Sequence, residues 1–348
     1  MYLLCRGSAR HYVVTNGGKA MAILLDPFGR KLEYLRVSVV DRCNLRCFYC
    51  SPGEACKPRS LRGQLSRDHI VQAVTAAVAA GIRKVRLTGG EPLVRKDIVS
   101  LVHDIAQIPG IDDLSLTTNG TLLKDLAEPL AAAGLKRVNI SLDSLDGHNF
   151  EQITRGGQLQ ATLDGIDAAF NAGLTPVKIN VVVMKDLNDH EVENFAKLTI
   201  GRDIHIRFIE YMPMLGQDDV WRQHYLPTAK IMALCNKIMP MDSVPEENLN
   251  GPARNFRFPG AVGLLGFITP VSQHFCANCN RLRLTSDGKL KPCLFSAEEI
   301  DLLPALEAGS DLVPLYQRAA ANKPASSDVS PASRGSACGP QGMVEIGG

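Results

Sequence analysis

The chain has 348 residues, of which 45% are hydrophobic and 21% are charged, and its 38 Lys plus Arg against 36 Asp plus Glu leave a formal net charge of +2. This length is enough for one large domain or two of medium size. The near-neutral balance excludes a broad basic field for nucleic acid or an acidic membrane, and the lack of an apolar run of 18 residues excludes a membrane-spanning helix.

The first 20 residues contain basic side chains and no acidic one, which is a weak organelle-targeting pattern. Met21 opens a segment that could itself be a natural start, so Met1 and Met21 are both candidate starts. We expect residues 1–25 to be a disordered N-terminal extension of a cytoplasmic protein. The alternative is a transit peptide that directs the protein to the mitochondrial matrix.

From residue 35 onward, short β-rich apolar runs alternate with segments of helical periodicity. The runs predict six strands, at 35–40, 83–88, 113–118, 137–142, 177–183 and 204–210. The periodic segments predict helices at 68–80, 97–107, 121–133, 161–172 and 189–198. Gly81, Gly134 and Gly173 are expected to end three of these helices.

Six strands that alternate with helices predict an α/β fold with a parallel sheet, because parallel neighbours need a crossover of a dozen or more residues. An eight-unit barrel would need two more strand–helix pairs before residue 210. We therefore predict a partial (β/α)6 barrel over residues 26–210. A doubly wound open sheet is the alternative.

Past residue 211 the pattern changes to loops, and RLRLTSDGKLKPCLF then predicts a hairpin that turns at 286–288. A three-residue loop with Gly288 in the left-handed conformation would place Arg281 opposite Cys293 on the same face, whereas a two-residue loop would reverse that parity. We expect residues 211–310 to form a C-terminal region. Residues 311–348 are expected to be a mobile linker that ends in a double glycine, because 321–342 are rich in Ala, Ser, Pro and Gly.

Ten cysteines are too dilute for a disulfide scaffold, but six of them form two triplets. The triplets are Cys43, Cys47 and Cys50, spaced C-x3-C-x2-C, and Cys276, Cys279 and Cys293, spaced C-x2-C-x13-C. Closely spaced free thiols are typical of metal ligands in a reducing compartment. Each triplet is one ligand short of a closed zinc site or a closed four-iron cluster, which predicts an open coordination position.

Zinc remains an alternative for both triplets. The first could be a zinc loop that borrows a remote histidine. For the second, His274 is near enough in sequence to complete a zinc site, and the spacing alone favours zinc and an iron–sulfur centre about equally.

The residues that can carry chemistry follow the predicted strands at their C-terminal ends, where the loops of a parallel α/β fold open onto one face. The first strand runs into DRCNLRCFYC, the second into TGGEP, the third into TTNG, the fourth into SLD and the sixth into EYMP. The first triplet, a glycine pair and several small polar residues are therefore expected to share one rim.

RCNLRCFYC followed by GGEP resembles the radical S-adenosylmethionine enzymes. Joined to FCANCNRLRLTSDGKLKPCLF, LTGGEPLVR, PVKINVVVMK, IRFIEYMP and the terminal double glycine, it resembles the molybdenum-cofactor GTP 3′,8-cyclases over roughly residues 26–310. The resemblance implies that the first triplet holds a [4Fe–4S] cluster that binds S-adenosylmethionine and yields a 5′-deoxyadenosyl radical. It implies that the second triplet holds a [4Fe–4S] cluster whose open iron contacts the guanine of GTP.

The implied reaction is the conversion of GTP to 3′,8-cyclo-7,8-dihydro-GTP, a lyase reaction on the path to molybdopterin. By the same resemblance, the residues that bind S-adenosylmethionine are Tyr49, Gly90, Ser141 and Met212. Those that bind GTP are Arg36, Arg86, Thr117, Lys178, Arg207, Arg281 and Arg283. The implied catalytic residues are Cys43, Cys47, Cys50, Arg281 and Arg283.

A physical argument also supports the assignment of the cations among these residues to GTP binding. A nearly neutral protein needs a local cluster of Arg and Lys to bind a triphosphate, and cations inside strands are unusual unless they face a ligand or a carboxylate. For any one of them, ordinary salt-bridged charge is the alternative. The resemblance further implies an electron donor, a homodimer, and a cyclic pyranopterin monophosphate synthase that takes the product.

Two other functions compete with a GTP cyclase. A peptide-modifying radical S-adenosylmethionine maturase also pairs a barrel with further clusters, but such enzymes generally use more C-terminal cysteines and a peptide-recognition domain. A non-catalytic zinc or iron–sulfur regulatory protein is the third hypothesis.

Overall fold

The computed structural model describes residues 10–16, 19–50, 63–213, 218–245 and 251–326. None of the helices in these ranges is both long enough and apolar enough to cross a membrane. The chain begins with an antiparallel hairpin of β1 (Arg10–Asn16) and β2 (Lys19–Leu25). The expectation of disorder is wrong for β2, because β2 contacts the helices of the main body and Leu24 is fully buried in the core.

The six predicted strands are all present. They are β3 (Tyr34–Ser38), β4 (Lys84–Thr88), β5 (Asp113–Thr118), β6 (Arg137–Ser141), β7 (Val177–Val183) and β8 (Ile204–Glu210). The helices between them are α1 (Arg67–Ala80), α2 (Ile98–Ala106), α3 (Leu123–Ala132), α4 (Gly147–Thr154), α5 (Leu159–Asn171) and α6 (Val192–Gly201). Sequence periodicity missed the short helix α4 and found the other five.

Helix α1 shows how local sequence sets the ends of these elements. The Ser66 hydroxyl accepts a hydrogen bond from the His69 backbone N–H at 3.1 Å and satisfies one of the free donors of the first turn. Gly81 ends the helix at a φ of 122°, which a side chain would disfavour.

The strands from β3 to β8 are parallel and adjacent in the order in which they occur in the chain. A doubly wound sheet reverses its strand order at a switch point, so the open-sheet alternative is wrong. The architecture is the predicted α/β fold with six parallel βα units.

The C-terminal region continues both edges of this sheet. Its strands are β9 (Asp242–Val244), β10 (Arg254–Arg257), β11 (Leu264–Ile268), β12 (Arg281–Leu284), β13 (Lys289–Lys291) and β14 (Ile300–Asp301). Its helices are α7 (Asp218–His224), α8 (Thr228–Asn236), α9 (Leu303–Glu307) and α10 (Val313–Ala321). β11 pairs in parallel with β8, and β12 pairs in parallel with β3.

The predicted hairpin is formed by β12 and β13. Arg283 lies opposite Lys291, the Thr285 N–H donates to the Lys289 carbonyl at 2.8 Å, and Gly288 has a φ of 89°. The loop therefore has three residues, 286–288, which is the alternative that puts Arg281 and Cys293 on one face.

Helix α10 corrects the expectation that residues 311–348 form a mobile linker. Tyr316 on this helix is fully buried, and its hydroxyl donates to the Ala73 carbonyl of α1 at 2.9 Å. Apolar burial against α1 thus orders a stretch that composition alone suggested was linker. The remainder of the expected linker from 327, including Gly347 and Gly348, lies outside the described residues.

Candidate active site

The two faces of the parallel sheet differ in chemistry. The apolar side chains of β3 to β8, such as Val37, Leu87 and Phe208, belong to the buried core. Most of the alternate positions are polar or charged and share the other face, because paired residues of parallel strands point to the same side. One row across the sheet joins Arg283, Arg36, Arg86, Ser115 and Arg137. The next rows join Thr117, Asn139, Lys178 and His205, and then Ser141, Asn180 and Arg207.

The polar face is concave. Arg207 on β8 interacts electrostatically with Arg86 on β4 and with Tyr34 on β3. In a flat sheet, β4 and β8 would lie about 19 Å apart, at roughly 4.8 Å per strand. Interaction across that many strands therefore indicates that the sheet curls and that its cations lie on the inner side of the curve. We call this surface the concave face.

Burial and mutual repulsion weaken the protonation of these cations. Burial and the charges of Arg207, Arg137 and Arg86 lower the pKa of Lys178 to about 6. Burial, then Arg86 and Arg137, lowers the pKa of Arg207 to about 9. On the neighbouring hairpin, burial and Arg281 lower the pKa of Arg283 to about 10. A set of like charges held this close is suited to a polyanion.

Burial also lowers the pKa of Arg36 and of Arg86. For Arg36, the neighbouring charges of Arg283 and Arg86 add to the effect of burial. Arg86 donates to the Ser115 hydroxyl at 3.2 Å and stacks over the Tyr34 ring at 5.4 Å. Arg86 is thus fixed in orientation on the concave face.

Several buried polar atoms on the concave face have no hydrogen-bond partner within the described part of the chain. They are Tyr34 Oη, Thr117 Oγ1, Arg137 Nη1, Asn180 Oδ1 and Arg207 Nε. A buried group without a partner costs about 1–3 kcal/mol, so such groups are rarely left alone. Their position around one concave face is that of a site for a polar ligand.

The first triplet lies in the loop that follows β3. Its thiols are half-buried and close enough for their charges to interact. Burial and then the charge of Cys43 raise the pKa of Cys50 to about 12, and burial also raises the pKa of Cys43 and of Cys47. The Cys43 Sγ accepts hydrogen bonds from Leu45 N at 3.4 Å and from Asn119 Nδ2 at 3.8 Å.

The Gly89-Gly90-Glu91 loop packs directly on the backbone of the first triplet. A Cβ on Gly90 would lie 2.2 Å from the Arg42 carbonyl oxygen, so only glycine fits there. The buried Glu91 carboxylate accepts hydrogen bonds from Leu93 N, Thr118 Oγ1 and Asn119 N at 2.7–3.0 Å. Burial nevertheless raises the pKa of Glu91 to about 7.

Tyr49, which lies beside Cys50, donates a hydrogen bond from its hydroxyl to the Asp143 carboxylate. The other oxygen of Asp143 accepts from Val182 N at 2.8 Å. Burial raises the pKa of Asp143 to about 6. Sequence reasoning assigned Tyr49 but missed Asp143, although the SLD motif that ends β6 contains it.

The second triplet lies at the N-terminal end of β12, which pairs in parallel with β3, so it is near the start of β3, whereas the first triplet follows the end of β3. Cys276 and Cys279 form a short 3-10 turn before β12, and Cys293 follows β13. Burial acts to raise the pKa of Cys279, but the charges of Arg281 and Lys323 outweigh it and lower that pKa to about 7. Arg281 stacks over the Phe275 ring at 5.0 Å.

The thiols of the two triplets are not arranged for a single metal ion. Among the described residues, no three His, Cys, Asp or Glu side chains converge on one ion-sized position. Zinc holds its ligand atoms within about 2.1–2.3 Å of one point. His274 is exposed and joins no such group among the described residues. Three-thiolate sets with an open position fit an iron–sulfur cluster.

Glu210 links the two parts of the site at the end of β8. Its carboxylate accepts hydrogen bonds from Thr228 N at 2.9 Å, from Val271 N at 3.0 Å and from Ser272 N at 2.9 Å. These bonds, with one from the Ser272 hydroxyl, outweigh the effect of burial and lower the pKa of Glu210. The carboxylate thereby anchors the segment that leads to the second triplet.

The structure brings most of the predicted substrate residues to one place. Arg36, Arg86, Thr117, Ser141, Lys178, Arg207 and Arg283 lie on the paired rows of the concave face, and Arg281 lies on the same strand as Arg283. Met212 lies just after β8, next to the buried Tyr211. A cavity of about 640 Å³ is lined by Cys43 of the first triplet and by residues 94–97, just before α2, and by none of these substrate residues.

The sequence matches known protein families and known enzymes over most of its length. Residues 37–199 match the Radical SAM superfamily, and residues 204–329 match Molybdenum Cofactor Synthesis C. The GTP 3′,8-cyclase of Listeria welshimeri is 50% identical over 305 residues, which cover 87% of this chain and 92% of that protein. The GTP 3′,8-cyclase of Moorella thermoacetica is 46% identical over 326 residues, which cover 93% and 99%.

A crystal structure of Streptococcus suis SuiB superposes with a TM-score of 0.58 at 18% identity, over 83% of this chain and 67% of that chain. At this identity the likeness shows the fold alone. The two matched regions and the two relatives span most of the sequence, including both cysteine triplets. The chain therefore belongs to the GTP 3′,8-cyclase family of the radical S-adenosylmethionine superfamily.

Proposed function

We propose that this protein converts GTP to 3′,8-cyclo-7,8-dihydro-GTP in molybdenum cofactor biosynthesis, with GTP bound on the concave face between the two cysteine triplets. The observation that carries the proposal is the continuous polar face. It begins at the strand that leads to the first triplet, runs across six strands, and includes the hairpin that carries the second triplet.

The cations of the concave face are suited to the triphosphate. Lys178 and Arg207 are buried and repel each other in the ligand-free protein. A triphosphate would replace that repulsion with attraction. Arginine can also bind phosphate oxygens in a bidentate manner, and each hydrogen bond to a charged group is worth about 1.5–3 kcal/mol. Arg36, Arg86, Arg281 and Arg283 complete this proposed set, with Thr117 as a neutral donor.

The residues around the first triplet are suited to S-adenosylmethionine. When bound, a [4Fe–4S] cluster would supply one electron to S-adenosylmethionine, which would break into methionine and a 5′-deoxyadenosyl radical that removes hydrogen from ribose C3′. After the sugar closes on guanine C8, one further electron, from the proposed electron donor, and one proton would complete the product. Gly90 allows its loop to pack directly on the backbone that carries the first triplet, and Ser141 can bond a polar group at the end of β6. Tyr49 is held by Asp143, so its ring is fixed beside the thiols.

The basic residues around the second triplet are suited to holding a second cluster near GTP. Arg281 and Lys323 favour the thiolate of Cys279, which is the form that ligates iron. Arg281 and Arg283 extend from this triplet to the concave face, so one hairpin would contact both the cluster and the nucleotide. We propose that Met212 and Ser141 line the opposite side of the same cavity.

We further propose an electron donor, a homodimer, transfer of the product to a cyclic pyranopterin monophosphate synthase, and a cytoplasmic location. The bacterial origin of the relatives favours the cytoplasm over a mitochondrial matrix.

The function can be tested by anaerobic incubation of the reduced, reconstituted protein with GTP and S-adenosylmethionine, followed by mass analysis. We expect 5′-deoxyadenosine and a product isomeric with GTP. Cys47→Ala should abolish both, whereas Cys293→Ala should abolish the GTP product and leave some 5′-deoxyadenosine. Reconstitution with zinc and no sulfide, or 5′-deoxyadenosine formation without a GTP product in the unaltered protein, would contradict the proposal.

A further inference from the structure

Lys323 lies just after α10, and sequence reasoning gave it no role. Only 3% of its surface is exposed. Its ammonium donates to the Arg281 carbonyl at 2.7 Å and to the Pro292 carbonyl at 2.8 Å. These contacts reach over 31 and 42 residues of sequence, so they join parts of the chain that only the fold brings together.

The two carbonyls flank cysteines of the second triplet. Arg281 is two residues after Cys279, and Pro292 directly precedes Cys293. Thirteen residues separate these two cysteines in sequence. One ammonium therefore holds together the two chain segments that bring Cys279 and Cys293 to the same place.

A second basic residue holds the remaining member of the triplet. Arg30 donates to the Cys276 carbonyl at 2.6 Å, and the same guanidinium donates to the carbonyls of Pro324 and Ala325 at 2.6 and 3.1 Å. Its orientation is fixed by an ion pair with Asp26, which is 4% exposed. The residues that follow Lys323 are thus bonded to the same guanidinium as the first cysteine of the triplet.

The surroundings of Lys323 contain an unusual balance of charge. Burial lowers the pKa of Lys323, the ionised thiols of Cys279 and Cys293 act in the opposite direction, and the charges of Arg30 and Arg281 add to the effect of burial. A buried ammonium is unfavourable unless it is paired or hydrogen-bonded. Lys323 donates to two carbonyl oxygens, and the thiolates of Cys279 and Cys293 are the nearby negative charges that can stabilise its ammonium.

We propose that Lys323 is a positioning residue for the second iron–sulfur cluster, where it clamps the two ligand-bearing segments together and supplies positive charge next to the cluster. The inference builds on the proposed function, because it requires that the second triplet hold a cluster. It adds a residue outside the triplet, beyond the hairpin and beyond α10, to that site.

The proposal has two separable consequences. Loss of the clamp would loosen the triplet, so less iron would be retained. Loss of the charge would disfavour the reduced cluster, which is the more negative redox state, and would lower its reduction potential. A residue that only stabilised the fold would change retention without changing the potential of the cluster that remains.

The test uses the full-length protein with Cys43, Cys47 and Cys50 replaced by Ala, so that only the second triplet can bind a cluster. In this background we compare Lys323→Gln, Lys323→Met and Lys323→Arg. Lys289→Gln is the matched control, because Lys289 lies on the same hairpin but pairs with Asp301 at 2.9 Å. The measurements are iron and sulfide per chain after anaerobic reconstitution, and a redox titration followed by electron paramagnetic resonance.

We expect Lys323→Met to retain less than half of the iron of the background protein. Lys323→Gln, which keeps a hydrogen-bond donor, should retain more cluster but with a lower reduction potential. Lys323→Arg should keep the potential close to that of the background, and Lys289→Gln should change neither quantity.

The outcomes separate the two proposals. If the background protein itself bound no iron, the second cluster would be refuted and this inference with it. If the background bound a cluster and Lys323→Gln and Lys323→Met left both its retention and its potential unchanged, the role of Lys323 alone would be refuted. Circular dichroism of the iron-free proteins identifies any variant that fails to fold. If Lys323→Met fails to fold, Lys323→Gln still tests the proposal.

Discussion

Binding of GTP should be accompanied by proton uptake, and Lys178 should be the group that takes up the proton. Burial and neighbouring arginines lower the pKa of Lys178 to about 6 in the ligand-free protein. At pH 8 a group with that pKa is only about 1% protonated, and even a pKa one unit higher leaves about 10%. Opposite charges within about 4–6 Å favour the protonated form, so a bound triphosphate should restore it.

The expected magnitude is nearly one proton per GTP at pH 8. The terminal phosphate ionises near pH 6, so it contributes little at this pH. Arg207 and Arg283, with pKa values of about 9 and about 10, are already mostly protonated and also contribute little. Calorimetric titration in two buffers with different ionisation enthalpies measures the uptake directly.

Two variants assign the proton. Lys178→Met should lose the uptake and most of the affinity for GTP. Lys178→Arg should retain part of the affinity without the uptake, since its higher intrinsic pKa keeps it charged in both states. Two results would contradict this prediction: a binding enthalpy of the unaltered protein that does not depend on the buffer, or full proton uptake in Lys178→Met.

The same shift predicts a stability change of known sign. Between pH 6 and 10.5 the unfolded state binds more protons at Lys178 than the folded state, so the stability of the ligand-free protein rises with pH in that window. At pH 8, the 2.5 units to the ordinary value of 10.5 correspond to about 3 kcal/mol at 1.36 kcal/mol per unit. Lys178→Met should recover up to this amount in denaturant unfolding at pH 8, while it weakens GTP binding.

Three further changes test other parts of the account. Glu210→Ala removes the acceptor of three backbone N–H groups and should lower the free energy of unfolding by about 3–5 kcal/mol. Because the Glu210 pKa is lowered in the folded protein, the difference between the unaltered protein and the variant should be full above pH 4.5 and should disappear as the pH falls through the folded pKa. An unchanged urea midpoint at pH 7 would contradict this. Gly90→Ala places a Cβ 2.2 Å from a backbone carbonyl oxygen and should reduce 5′-deoxyadenosine formation at least about 10-fold, measured by chromatography. Unaltered formation of 5′-deoxyadenosine would show that this close packing is unimportant. Ser66→Ala removes the cap of α1 and should cost about 1 kcal/mol in thermal unfolding with no change in GTP turnover, so a loss of turnover in a folded protein would be unexpected.

The sequence predicted the repetitive part of the fold well. The alternation of apolar runs and helical segments located β3 to β8 and five helices, because each βα unit is specified by local periodicity. β11 and β12 were not identified as members of the same sheet. Their pairing with β8 and β3 joins residues far apart in sequence, and no local pattern encodes that contact.

The site shows the same division. The position of Arg86, Lys178 and Arg207 inside predicted strands was enough to suggest that they face a ligand, since cations are unusual there without one. Asp143 was missed because its partner, Tyr49, is 94 residues away. Lys323 lies 42 residues from the Arg281 carbonyl that it contacts, and the Ala- and Ser-rich sequence around it predicted a linker instead.

The central claim is that S-adenosylmethionine at the first triplet and GTP on the concave face occupy one cavity. The most direct measurement uses GTP that carries deuterium at ribose C3′, incubated anaerobically with S-adenosylmethionine and the reduced protein. We expect that deuterium is transferred to 5′-deoxyadenosine and that this transfer is absent when Cys47 is replaced by Ala. Turnover that yields only unlabelled 5′-deoxyadenosine would contradict it.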